Sequence, residues 1–346
     1  MRYRTGICIA VICMCVLLTG CGNEKQESTK QGMAAIEALD YQGALTCFEK
    51  ALADGENPEL VYRGQGIAYI GLTQYADAAA SLEKALSYCR GIPGSLEYDT
   101  NYYLAMAYYK NGEIDKALAV YDAILDLKKD KTAYCLRGIL ELEKDNYDRA
   151  TADFDKAISL DPTDYDCLID IYTGLERFGY KDAGKEYLVQ AMAAGEQTIN
   201  SYDKGRLYYY LEDYEEARNS LEQARDLGGG DAVLYLGRTY EALGDYNYAA
   251  SVYVTYLEKH DDSPEILNQL GLCRMQKGEY QEALEAFQRG LAIENNSCLQ
   301  ALKFNEITAY EHLTQYKKAA VLMESYLQSY PDDSEALREY EFLKTR

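Results

Sequence analysis

Apolar residues recur three and four apart along most of the chain, in short segments separated by polar turns such as Lys110-Asn111-Gly112-Glu113 and Leu243-Gly244-Asp245. At 3.6 residues per turn this spacing gathers the apolar side chains on one face, so the chain reads as a succession of short amphipathic helices. The beginning is different. Arg2 and Arg4 precede a run from Ile7 to Leu18 that is apolar without interruption, followed by Thr19-Gly20-Cys21 and the polar stretch Gly22 to Glu27.

The helical pattern repeats. Aligned on Gly32, Ala35, Tyr41, Ala44, Phe48 and Ala51, the same phase returns at Gly66, Tyr69, Tyr75, Ala78, Leu82 and Ala85. It continues through Ala105, Tyr108, Ile114, Ala117 and Tyr121, then Gly138, Tyr147, Ala150, Phe154 and Ala157, with Pro162 beyond. A weaker unit carries Leu175, Leu188 and Ala191, with Tyr172 where a small residue belongs. Gly205, Tyr208, Tyr214, Ala217, Leu221 and Ala224 restore the pattern, followed by Gly237, Tyr240, Tyr246, Ala249 and Tyr253. Gly271, Tyr280, Ala283 and Phe287, then Tyr310, Tyr316, Ala319, Met323 and Pro331, complete it. The units start 34, 39, 33, 34, 33, 32, 34 and 36 residues apart, the long interval following a loop inserted from Cys89 to Gly94. Each unit holds two helices. Small residues such as Gly66 and Ala78 let the pair cross closely, and Tyr69 and Tyr75 fill the space beside the crossing. One pair cannot bury its own apolar face, so the units must stack as a one-dimensional array. Ser334 to Thr345 reads as a closing helix.

Small, aromatic, small, large and small residues at a period near 34 resemble the tetratricopeptide repeat family, over roughly residues 25 to 332. The resemblance implies an all-α fold, a right-handed superhelical solenoid of about nine stacked helix-turn-helix units with a C-terminal capping helix, spanning residues 31–346. It also implies a groove lined by the first helix of each unit, with contact residues beside the small packing position. Carried onto this sequence, those positions are Arg63, Ile67, Tyr102, Met106, Tyr109, Tyr202, Arg206, Tyr209, Arg238, Asn268 and Asn305. The lysines and asparagines with which some members of the family clamp a terminal carboxylate are not reproduced. Arg206 and Arg238 share a phase in adjacent units, which puts them about 10 Å apart. Tyr202 and Tyr209 stand one turn either side of Arg206. Two guanidiniums beside aromatics suit a carboxylate or phosphate. Asp203 and Glu241, three residues away, offer local pairing instead.

A membrane-spanning helix needs about 20 apolar residues, more than Ile7 to Leu18 supplies. A basic start and a short apolar run predict a secretory signal. Leu18-Thr19-Gly20-Cys21 resembles the lipobox of bacterial lipoproteins, which implies cleavage before Cys21 and acyl chains on that cysteine. The expected organisation is a signal over 1–20, a lipidated Cys21 with a polar tether to residue 30, and an exported chain lipid-anchored at the outer face of the cell membrane.

Charge and composition narrow the partners. Lys and Arg number 35 against 57 Asp and Glu, a net charge of −22 that the loss of Arg2 and Arg4 makes more negative still. Such a surface repels phosphate backbones and no basic patch counters it, so nucleic acid is not expected as a partner. At 48% hydrophobic residues the chain has enough apolar material to fold. Its 35 tyrosines either fill the seams between repeats, where the phase puts most of them, or form a glycan or cell-wall binding module. Cys47, Cys89, Cys135, Cys167, Cys273 and Cys298 are scattered without the spacing of a zinc or redox motif, and their pairing stays open. His260 and His312 lie in different units, and His260 suits a helix C-terminus. No nucleophile elbow, phosphate-binding glycine loop, paired-histidine motif or calcium loop occurs, so no enzyme, metal or cofactor is expected. The expectation is a membrane-tethered scaffold or assembly factor whose partner is a protein or peptide bearing an acidic group.

Overall fold

The computed structural model describes residues 26–90, 93–225, 230–294, 296, 298–331 and 333–346, so the signal segment and Cys21 lie outside the described residues. Among these residues the chain is all-α, with nineteen helices and no strand. They fall into two compact units that divide between Gly195 and Glu196. The first holds the pairs α1 (Glu27–Glu37) and α2 (Tyr41–Ala53), α3 (Pro58–Gly71) and α4 (Tyr75–Ser87), α5 (Ser95–Lys110) and α6 (Ile114–Leu127), α7 (Lys131–Glu143) and α8 (Tyr147–Leu160), and α9 (Tyr165–Arg177) and α10 (Lys181–Ala194). The second holds α11 (Ser201–Tyr210) and α12 (Tyr214–Arg225), α13 (Gly230–Ala242) and α14 (Tyr246–Leu257), α15 (Pro264–Gln276) and α16 (Tyr280–Leu291), α17 (Leu299–His312) and α18 (Tyr316–Ser329), and then α19 (Ser334–Leu343). Partners within a pair pack together, and first helices also touch across pairs: α3 on α5 and α7 on α9, then α11 on α13, α13 on α15 and α15 on α17. The first helices of each unit therefore form a common layer.

Every pair turns in the same way. Seven residues past the crossing position the backbone is left-handed in all nine: Leu39, Thr73, Gly112, Asp145, Gly179, Glu212, Gly244, Gly278 and Thr314. The following N–H then reaches back five residues, as from Gln74 to the Tyr69 carbonyl at 2.9 Å and from Asp245 to Tyr240 at 2.8 Å. This satisfies a carbonyl that the helix end would leave open. Five of the nine positions tolerate a side chain although left-handed backbone costs roughly 1–2 kcal/mol outside glycine, so the tight turn is held by the packing of the pair.

The crossings explain the small residues. Gly32, Gly66, Gly138, Gly205, Gly237 and Gly271 face Phe48, Leu82, Phe154, Leu221, Tyr253 and Phe287, and a Cβ added at any of them would fall within 3 Å of that fully buried partner. The fifth pair compensates. Tyr172 stands on α9 where the other pairs have a small residue, and Gly184 stands on α10 where they have alanine; its added Cβ would lie 3.1 Å from the Tyr172 ring and 3.3 Å from its backbone. The unit that reads as weak is a compensated crossing.

The first helix is held by a side chain distant in sequence and the last by its own N-cap. Helix α1 begins at Glu27, inside the stretch up to residue 30 that the sequence suggests as a polar tether. The cause is Glu56, from the loop after α2, whose carboxylate accepts the N–H groups of Ser28 and Thr29 at 2.9 Å each. Burial alone would raise this carboxyl, but the hydrogen bonds from Thr29 and Ser28 hold it below the usual range. At the other end α19 buries Ala336 and Leu343 and is capped by Asp333, which accepts from the N–H groups of Glu335 and Ala336 at 3.2 Å.

Glu311 on α17 meets Glu339 on α19, and burial together with that neighbouring carboxyl pushes Glu311 up to about 8. A carboxyl whose folded value exceeds its unfolded one contributes stability below the ordinary carboxylate range and loses it as pH rises through about 8. The docking of α19 should therefore weaken between pH 5 and pH 9, read as a fall in amide-exchange protection, relative to the intrinsic rate at each pH, over residues 334–343. Glu311→Gln should remove most of that pH dependence. An unchanged pH profile in the variant would mean that the pair does not share a proton.

Candidate partner-binding face

In the first unit the candidate residues knit neighbouring helices. Arg63 on α3 pairs with Asp99 on α5 through Nε at 2.9 Å, and its guanidinium lies 5.5 Å from the centre of the Tyr103 ring. Ile67 is buried in the core. The Tyr102 hydroxyl donates to Asp130, the N-cap of α7, at 2.6 Å, and Tyr109 donates to Glu143 on α7 at 3.0 Å. Arg177 on α9 approaches the same Glu143 at 3.6 Å. Met106 is half-buried between these tyrosines on α5. The polar ends of Arg63, Tyr102 and Tyr109 thus already have partners on the following helices.

The second unit separates its candidates into two groups. Asn268 on α15 and Asn305 on α17 are buried, and Asn305 Nδ2 donates to Asn268 Oδ1 at 2.8 Å. These two amides bridge first helices and do not offer themselves at the surface. Tyr202, Arg206, Tyr209 and Arg238 do come together, on α11 and α13. The Arg206 guanidinium lies 5.1 Å from the Tyr202 ring centre and 5.6 Å from that of Tyr235, while Arg238 lies 5.8 Å from the same Tyr235 ring. Both arginines therefore address one aromatic ring. Around it Tyr209 packs edge-on against Tyr210, Tyr214 and Tyr235 at 5.4, 5.9 and 5.7 Å. Tyr210 and Tyr235 share a hydroxyl contact at 3.2 Å.

The two arginines differ in electrostatic state. Arg206 is buried and pairs with Asp203 at 3.2 Å. Arg238 has Glu241 one turn away, but that carboxylate accepts instead from the Tyr253 hydroxyl at 2.9 Å. Burial raises Glu241 above the usual carboxylate range, despite the opposing pull of the Tyr253 hydroxyl and Arg238. No carboxylate among the described residues comes within 4.0 Å of Arg238, and its buried Nε has no hydrogen-bond partner among them. A guanidinium cannot shed its charge to relieve this, and a buried donor left without an acceptor costs about 1–3 kcal/mol. An acceptor placed beside Arg238 Nε would remove that cost.

Tyr210 and Tyr235 are the members that sequence phasing missed. Tyr235 precedes Gly237 by two residues and reaches Tyr202, Tyr209 and Tyr210 on α11. Its signal was the run Tyr208-Tyr209-Tyr210 on the neighbouring helix, too aromatic for one seam. The exposed tyrosines elsewhere are partly covered: Tyr88, Tyr180 and Tyr248 lie against Tyr62, Tyr147 and Tyr240 at 5.9, 4.3 and 4.4 Å. Both histidines also stack on tyrosines, His260 on Tyr256 at 4.3 Å and His312 on Tyr280 at 4.6 Å.

A profile of the tetratricopeptide repeat matches residues 29–95, 63–131, 102–165, 202–253 and 236–297, more than half of the chain. A tetratricopeptide repeat-containing protein of Methanocaldococcus jannaschii is 23% identical over 276 residues, which is 78% of this chain and 43% of that protein. The chain thus spans less than half the length of this curated relative. Among solved structures, yeast Tom70 superposes with a TM-score of 0.57 at 15% identity, covering 92% of this chain and 80% of the other. A tetratricopeptide repeat protein from Parabacteroides merdae gives a TM-score of 0.44 at 14% identity, covering 71% and 97%.

Proposed function

Since this chain belongs to the tetratricopeptide repeat family, we propose that it is a non-catalytic scaffold that holds a protein or peptide partner against the layer of first helices, with an acidic group of that partner seated at Arg206 and Arg238. The observation that carries this reading is Arg238, a charged group among tyrosines whose buried Nε has no acceptor among the described residues and whose neighbouring acid Glu241 is engaged by Tyr253. A carboxylate entering there would accept charge-assisted hydrogen bonds, worth about 1.5–3 kcal/mol each. The tyrosines would pack its apolar neighbours, as aromatic and arginine residues do at the centres of interfaces. Repulsion by the rest of an acidic surface disfavours loose association with anions in general, so the site selects acidic groups that its geometry can grip.

The scaffold is held at the outer face of a cell membrane through lipid on Cys21. Two considerations support this: the Leu18-Thr19-Gly20-Cys21 motif behind a short apolar run, and a net charge of −22 that would repel anionic headgroups without an anchor. No described helix is long and apolar enough to cross a membrane.

Wild-type protein should take up labelled fatty acid and partition into detergent, whereas Cys21→Ala should be unlabelled and either uncleaved or released. A soluble wild-type protein with its N-terminus elsewhere would remove the anchor from the proposal. Cross-linking in native membranes should recover a protein partner. Retention on purified cell-wall glycan without any protein would replace the scaffold by a glycan-binding module.

A further inference from the structure

Two cysteines that look unrelated in sequence meet in the first unit. Cys135 lies in the second turn of α7 and Cys167 in the first turn of α9, and Cys135 Sγ is 4.0 Å from the Cys167 carbonyl oxygen. The helices are held side by side further along, where Gly174 of α9 lets Ile139 of α7 approach closely. Cys135 is almost fully buried and Cys167 is partly exposed. Elsewhere, Cys273 donates to the Tyr246 carbonyl at 3.2 Å and Cys89 to Glu97 at 3.4 Å. We propose that Cys135 and Cys167 are a modification site, forming a reversible disulfide between adjacent repeats by exchange with a small-molecule or protein disulfide.

Accessibility fixes the order of events. The Cys167 thiolate attacks one sulfur of the oxidising disulfide, breaking its S–S bond and releasing one thiolate. Cys135 then loses its proton and its sulfur attacks Cys167 in the mixed disulfide, releasing the second thiolate. Two protein thiols are oxidised, one disulfide is reduced to two thiols, and the two protons pass to the departing thiolates. The Cys167 thiol beside it, burial, and the carboxylates of Asp170 and Asp164 push the Cys135 thiol up, which leaves the first attack to Cys167. The bond ties the N-terminal ends of α7 and α9, so it fixes the angle between two neighbouring pairs inside the first unit. This proposal is independent of the partner-binding reading.

The full chain is reduced, freed of reductant, incubated with oxidised glutathione, alkylated and mapped by mass spectrometry. The expected product is a Cys135–Cys167 disulfide that carries no glutathione and reopens with dithiothreitol. Cys135→Ser should leave Cys167 as a stable mixed disulfide with glutathione, and Cys167→Ser should leave Cys135 an unmodified thiol. Cys135→Ala serves the same purpose should serine disturb the buried site. Oxidised wild type should also resist proteolysis across residues 131–194 several-fold longer than reduced protein. Glutathione retained on Cys167 in the wild type, or Cys135 alkylated to the same extent before and after oxidation, would overturn the proposal.

Discussion

Replacing Gly237 by leucine should open the α13–α14 pair while leaving α1–α10 folded. A Cβ at this position would already lie 2.1 Å from the ring of Tyr253, which is fully buried and anchored through its hydroxyl to Glu241 at 2.9 Å. The ring has no empty space to enter, and leucine adds three further carbons. Overpacking of this kind costs roughly 1–3 kcal/mol or more. Because repeats contact only their neighbours, the damage should stay local. Limited proteolysis should nick residues 230–265 first, with most of the helical circular dichroism retained. Simultaneous loss of all helicity would argue against separable units. The same variant should lose partner binding, since Arg238 and Tyr235 ride on the opened helix.

The second large effect belongs to the arginines. Arg206→Ala with Arg238→Ala should abolish partner capture, and the single change Arg238→Ala should weaken it by roughly tenfold to a hundredfold, the equivalent of about 1.5–3 kcal/mol. The single variant is the cleaner test. Arg206 is buried, paired with Asp203 and packed against Tyr202, so its removal also disturbs the fold. Arg238 has no ion pair within 4.0 Å among the described residues, so its loss should leave melting nearly unchanged. Charge reversal, Arg238→Glu, should be worse than alanine because it places a second acid beside Glu241. Capture that survives both changes at Arg238 would move the binding surface elsewhere on the chain.

Most of the fold was legible because its constraints recur locally. A close crossing demands a small residue opposite a large one at a fixed interval, and every repeat must meet that demand to stack at all. The compensation of Tyr172 by Gly184 escaped because the repeat pattern marks Tyr172 as a mismatch at its own position, whereas the crossing constrains the two helices together. Phase also brought Arg206, Arg238, Tyr202 and Tyr209 to one place. What phase could not supply were partners from other repeats: the amide bridge between Asn268 and Asn305, the acids bonded to Tyr102 and Tyr109, and Tyr235 joining the cluster from α13. These depend on the rotation of one pair against the next, which no local pattern encodes. The contact of Cys135 with Cys167 was hidden for the same reason.

The central claim is that the α11–α13 face holds a polypeptide through an acidic group. It is tested most directly by placing a photo-crosslinking benzoylphenylalanine at Tyr209, beside Arg238, and for comparison at Val321, the exposed residue of α18 that is 67% accessible. Irradiation in native membranes should give a protein adduct from Tyr209 alone, attached near an acidic side chain or a C-terminus, and Arg238→Ala should abolish it. Equal adducts from both positions, or a Tyr209 adduct indifferent to Arg238→Ala, would contradict the account.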